Sequence, residues 1–267
     1  MFTNLTEISP ANDKRKAVSS CSVQPPSNAA KPASRDDDIK KQFAAFVAAA
    51  EFPCLGAKAA FNAGVPGISV FDSLGSAKSS RRLAAELGSF VQRERTRPSR
   101  YATFVAIFRE PRSLGEKDFE RRLWRQLQQL HEIDVAAHNE WDESVASDPS
   151  DPRFSFSFAG QALYVVGLHG GSSRLARRFP WPALVFNPHE QFERLRHDGK
   201  WRRMRAAIRN RDVALQGSIN PMLSDFGEQS EARQYSGRAV EDTWQPPFRA
   251  SPRDRTDKAA PRCPFAH

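Results

Sequence analysis

The chain has 267 residues, a formal net charge of +9 and 39% apolar side chains, which suits one sizeable core with tails better than two full domains. No apolar run approaches the roughly 20 residues of a membrane span, and the opening MFTNLTEISPANDKRKAV has no apolar stretch of the secretory kind, so a cytoplasmic protein with no membrane partner is expected. Three scattered cysteines, Cys21, Cys54 and Cys263, lack the close spacing of zinc sites or disulfide frameworks and read as reduced thiols.

Residues 1–35 mix Ser, Pro, Asn, Lys and Asp with few large apolar side chains, and a disordered arm is expected there. Asp36 to Glu51 then carries Ile39, Phe43, Phe46 and Val47 at helical spacing behind three aspartates, the pattern of an amphipathic helix. Pro53 breaks it. Leu55 to Phe61 reads as a short helix ended by Gly64, which puts Cys54 at a helix N-terminus. Gly67 to Asp72 is a predicted strand, Ser76 to Arg95 a helix with Leu83, Leu87, Phe90 and Val91 inward, and Tyr101 to Phe108 a buried strand. Gly115 to Asp134 repeats Phe119, Leu123, Leu127 and Leu130 along one helical face.

A loop rich in Asp and Pro follows, and Phe154, Phe156 and Phe158 alternate as in a strand. Ala159-Gly160 predicts a turn, Ala162 to His169 a central strand, and Pro182 to Phe186 its partner. Asn187, Pro188 and Glu190 have the order of a helix cap, first turn and capping box. Lys200 to Gln216 is a further, basic helix, and Trp244 anchors the last ordered segment. The whole is expected to be α+β: a mainly antiparallel central sheet covered by helices, with the folded part at 36–248 and a flexible tail at 249–267.

No dinucleotide, Walker, nucleophile-elbow or HExxH motif is present, which removes the usual support for nucleotide, hydrolase and zincin chemistry. Arg194, Arg196, Lys200, Arg202, Arg203, Arg205, Arg209 and Arg211 are interrupted by apolar positions, and no nucleic-acid motif accompanies them. A solvated helix face explains them and no specific nucleic-acid partner is expected, although an acidic partner fits the same charges. At a helix N-terminus, with Lys58 one turn on, Cys54 has the surroundings of a thiolate that can ligate haem iron, but a small buried hydrophobe behind Pro53 fits the same residues. His131, His169 and His189 end predicted elements, where a histidine either faces a cleft or caps backbone groups. The loop GGSSRLARR from Gly170 holds backbone donors, hydroxyls and the guanidiniums of Arg174, Arg177 and Arg178, a set that grips carboxylates or simply lies solvated. Asp134, Asp142, Asp148 and Asp151 around Trp141 suit either a cationic substrate or plain Asx turns.

Several stretches carry a specific resemblance: EFPCLGAK at 51–58, LHEID at 130–134, DPSDPRFSFSF at 148–158, VVGLH at 165–169, SSRLARRF at 172–179, PALVFNPHEQF at 182–192 and SEARQYSGR at 230–238. From about residue 38 to 248 the chain resembles the YqcI/YcgG family, in particular its branch of haem-dependent N-hydroxylases that act on guanidines in guanitoxin- and D-cycloserine-type pathways. The resemblance implies haem b, a small guanidine or amine substrate derived from an amino acid, and an electron donor or peroxide as co-reactant. It leaves the axial ligand open between Cys54, then His169, then His131, with Arg174, Arg177 and Arg178 as candidates for the propionates and Lys58 and His189 as further cofactor contacts. Relatives end in Trp-x-Cys-Pro-Phe, whereas this chain has Trp244-Gln-Pro-Pro-Phe248 and carries Cys263-Pro-Phe265 later. A non-enzymatic haem-binding or sensing protein is the competing expectation, and a metal-free domain meeting an acidic partner is a third.

Overall fold

The computed structural model describes residues 35–64, 67–99 and 101–251. The expected disordered arm, the final Cys263-Pro-Phe265 and the cysteines at 21 and 263 lie outside the described residues, apart from Arg35, which opens the first helix.

Five strands form one sheet: β1 (Gly67–Ser73), β2 (Phe104–Glu110), β3 (Phe156–Phe158), β4 (Gln161–Leu168) and β5 (Ala183–Pro188), in the order β1-β2-β5-β4-β3. β1 and β2 are parallel and the other pairs antiparallel, so the expected α+β architecture holds. Strand alternation sorts the side chains onto two faces. Phe104, Ala106 and Phe108 of β2, Leu163 and Val165 of β4, and Leu184 and Phe186 of β5 belong to one core. Val105, Ile107, Leu168 and Ala183 belong to a second on the other side.

The first face is covered by α3 (Ala77–Thr96) and α4 (Glu116–Ala136). Ser76 caps α3 by accepting from Ser79 N, and Leu83, Leu87, Phe90 and Val91 point inward as their spacing requires. α4 comes close because Gly167 has no side chain: a Cβ there would lie 2.6 Å from Phe119 Cε1 and 2.8 Å from Leu123 Cδ1. The second face is covered by α1 (Arg35–Ala48), whose Ile39, Phe43 and Val47 form one buried stripe, and by α2 (Leu55–Asn62). α5 (His189–His197) and α6 (Trp201–Gln216) follow β5, and a short α7 (Ala232–Tyr235) packs on β4.

Three expectations are corrected. The helix after β5 starts at His189 with no side-chain cap; Asn187 stays in the strand and its Nδ2 donates to Tyr164 O at 3.3 Å. Phe154 precedes β3 and pairs instead with Ala146 in an isolated parallel bridge, although it is fully buried. The folded part also runs past 248: Arg249 N donates to Gln128 Oε1 at 2.9 Å and Ser251 N to His131 Nε2 at 2.9 Å.

Candidate functional site

Between the second sheet face and helices α1, α2, α5 and α6 lies a cavity of about 260 Å³. Its walls are mostly apolar: Phe43 and Val47 of α1, Phe61 of α2, Val105, Val166 and Val185 of the sheet, and Met204 and Ile208 of α6. The polar exceptions include Cys54, Tyr164, Arg174, Arg177 and Asp212.

Cys54 reaches the wall because Pro53 ends the preceding segment and α2 begins at Leu55. Its Sγ caps α2, accepting from Ala57 N at 3.4 Å. The expected helix-terminal position is therefore present, but the expected electrostatics are reversed. Burial raises the thiol above its ordinary pKa and outweighs the hydrogen bonds from Ala57 and Gly56. Lys58 adds no help, because its Nζ turns back to the carbonyls of Ala49 and Ala50 just past α1. The resting group is a neutral thiol, which a metal ion would deprotonate on binding.

The short 3₁₀ turn Leu175–Arg177 brings two arginines to the same cavity. Arg174 Nη2 pairs with Asp212 Oδ2 of α6 at 2.5 Å, both side chains 8% exposed, and also donates to Ser218 O at 2.8 Å. Arg177 is equally buried but donates only to neutral oxygens: Tyr235 O at 3.0 Å, Gly167 O at 3.3 Å and the Tyr164 hydroxyl. Desolvation lowers the pKa of its guanidinium. Tyr164 donates to Gln234 Oε1 at 2.9 Å, and burial pushes its phenol up to about 12, so it stays neutral.

The other candidates are dispersed. His169 stacks on Phe119 with ring centroids 4.3 Å apart, and its Nδ1 lies 3.3 Å from Leu114 O; burial depresses its pKa. His131 sits against Trp141 and Phe248 on the α4 side and accepts from Ser251 N. His189 lies against Phe226 with the rings tilted by 60°, its Nε2 3.5 Å from Glu231 Oε1. Arg178 donates to Ser172 O at 3.0 Å. None of these four lines the cavity. Phe156 and Phe158 belong to the opposite core, and Trp181 packs beneath Arg112.

The carboxylates around Trp141 brace the backbone. Asp134 accepts from Ala159 N at 2.9 and 3.0 Å, holding the turn in which Ala159 and Gly160 both take positive φ; Asp142 accepts from Ala162 N at 2.7 Å. Asp148 and Asp151 close Asx turns on Ser150 and Arg153. Among the described residues no cluster of three or more His, Cys, Asp or Glu side chains is arranged to hold a bare metal ion.

Sequence reasoning missed Tyr164 and Asp212. Tyr164 falls inside the predicted central strand from Ala162 to His169, yet its hydroxyl needs a partner once buried. Asp212 is the lone acid in the arginine-rich α6, and that isolation was the available signal.

The match that decides the family covers residues 43–249, which contain every wall residue named above. The chain belongs to the YqcI/YcgG family. One YqcI/YcgG relative, "Uncharacterized protein YcgG" of Bacillus subtilis (strain 168), is similar at 27% identity over 225 residues, covering 81% of each chain. No solved structure matches the chain. The described helices of this YqcI/YcgG protein include none long and apolar enough to cross a membrane.

Proposed function

We propose that this YqcI/YcgG protein is a haem-dependent N-hydroxylase that oxidises a guanidine-type or amine nitrogen of a small substrate derived from an amino acid. The observation that carries the reading is the cavity itself: a soft sulfur donor, a buried guanidinium and apolar walls share one partly open space. Those are the donor types an amphiphilic iron porphyrin takes, with sulfur for the iron, a cation for a propionate and aliphatic or aromatic side chains for the macrocycle. The volume falls just short of the roughly 300–1,000 Å³ of ligand sites. Admission of a porphyrin therefore requires a wall to move outward. α6 supplies that wall, since Asp212 is its only buried residue.

When bound, haem supplies oxidising power from dioxygen and a reductant or from peroxide, and the protein supplies placement and a dry surround. Cys54 is the ligand the reading favours, because thiolate donation promotes oxygen activation and because neither His169 nor His131 lines the cavity. To hold the iron Cys54 would have to give up its Sγ proton. Tyr164 remains protonated and holds its hydrogen bond to Gln234 without competing as an anionic ligand. Met204 and Ile208 of α6, with Leu223 beyond it, turn apolar surface to the cavity.

Purified protein tests this directly. Added haemin is expected to give a Soret band, and the ferrous carbonyl spectrum is expected to report thiolate in the wild type and not in Cys54→Ala. Arginine and related guanidines supplied with reductant or peroxide are expected to yield N-hydroxylated products. Protein that takes up no haemin rejects the reading; pigmented protein that oxidises no nitrogen substrate leaves the haem-binding or sensing role in its place.

A further inference from the structure

The wall of the cavity contains two buried guanidiniums and one buried carboxylate. Asp212 lies against Arg174 at 2.5 Å and neutralises it. Arg177, 8% exposed, forms no ion pair with any described residue; its hydrogen bonds go to carbonyl and phenol oxygens, and the only carboxylate that acts on it, Asp212, does so from its pairing with Arg174. An isolated ion in a low-dielectric interior is costly unless paired, typically by several kcal/mol. Its position is also tightly held. Gly237 has φ +83°, and a Cβ there would lie 2.5 Å from Arg177 Cδ, so the backbone at 237 comes as close as a side-chain-free residue allows. The fold keeps a second buried guanidinium, whose nearest carboxylate, Asp212, is already paired with Arg174, fixed in the wall of a mostly apolar space.

We propose that Arg177, and neither Arg174 nor Arg178, is the receptor for a ligand carboxylate in this cavity, and that in the haem reading, on which this assignment rests, the carboxylate is a propionate. Arg174 is committed to Asp212, and Arg178 lies outside the cavity with its Nε on Ser172 O. A carboxylate arriving at Arg177 restores neutrality without breaking an existing ion pair, whereas at Arg174 it would have to displace Asp212. The lining also suits such a ligand: charge at Arg177, apolar body against side chains such as Phe43, Phe61, Val166 and Ile208.

The experiment compares haemin with haemin dimethyl ester, in which both propionates are capped as neutral esters, by Soret titration of the full chain in one buffer. Wild type is expected to bind haemin at least about tenfold more tightly than the ester, the size of a desolvated charge pair. Arg177→Gln is expected to erase that preference while keeping its affinity for the ester; Arg177→Lys is expected to keep part of it, and Arg178→Gln all of it. Circular dichroism separates loss of the receptor from loss of the fold, and the wild-type comparison needs no variant. Equal affinity of wild type for the two pigments overturns the assignment of a carboxylate receptor, as does a preference that survives Arg177→Gln. Binding of neither pigment overturns the haem reading as well, which is how the two failures differ.

Discussion

The two faces of the sheet are built on different principles. On the α3/α4 side, Trp124, Tyr235, Trp244 and Phe248 pack ring on ring, with centroids 5.7 to 6.2 Å apart around Trp124, and Gly167 lets α4 settle onto the strands. Shape and apolar burial hold that side together. On the α1/α2/α6 side the aliphatic lining stops short of closing, and polar ties hold the outer helix: Arg174 to Asp212, Gln216 Nε2 to Ser173 O at 2.9 Å, and Leu175 N to Gln216 Oε1 at 2.8 Å. A protein that needed only a core would not leave one face filled and the other open. The open face is where chemistry can be housed.

Trp124→Ala is the severest test of the filled side. Removal of a fully buried indole is expected to cost about 3–5 kcal/mol in urea unfolding, because the surrounding rings relax only partly into the void. Asp212→Asn tests the open side. It strands the Arg174 guanidinium, and a loss of about 3 kcal/mol is expected, accompanied by loosening of α6 in amide exchange. A small loss there would mean that apolar contact carries both faces alike.

The glycines sharpen the contrast. Gly167→Ala is expected to destabilise by about 1–3 kcal/mol, since its Cβ meets Phe119 and Leu123. Gly56→Ala, inside α2, meets only Cys54 Sγ at 3.9 Å and is expected to be neutral or stabilising by about 0.5 kcal/mol.

The smallest expected effect is one of pH. Burial depresses the pKa of His169, so the unfolded chain binds a proton more readily than the folded one. Stability contributed by the neutral ring is present above about pH 6.5 and is lost as pH falls below it. The urea midpoint of wild type is expected to drop between about pH 7.5 and about pH 5 by more than that of His169→Gln.

The filled side was the legible one. Leu83, Leu87 and Phe90 on α3, and Phe119, Leu123 and Leu127 on α4, repeat at helical spacing, and period alone predicts their burial. The helix-terminal position of Cys54 followed equally from Pro53 and the apolar run after it. Its ionisation did not, because local sequence shows Lys58 one turn away but not that Lys58 folds back onto Ala49 and Ala50. Three histidines at element ends looked alike in one dimension; only packing reveals that His131, His169 and His189 stand apart from the cavity. Likewise Arg174, Arg177 and Arg178 are near neighbours in sequence, yet one is neutralised from 38 residues away, one is left charged, and one faces elsewhere. Long-range partners decide such differences, and a sequence pattern does not contain them.

Arg211 of α6 donates to the carbonyls of Ala50 and Phe52, in the segment that leads directly into Pro53 and Cys54. The outer helix and the sulfur-bearing bend are thus mechanically coupled. If α6 swings outward to admit a bulky guest, the same guanidinium tugs on the bend, so entry and the aim of the sulfur change together, and slower amide exchange along both segments would mark the closed complex.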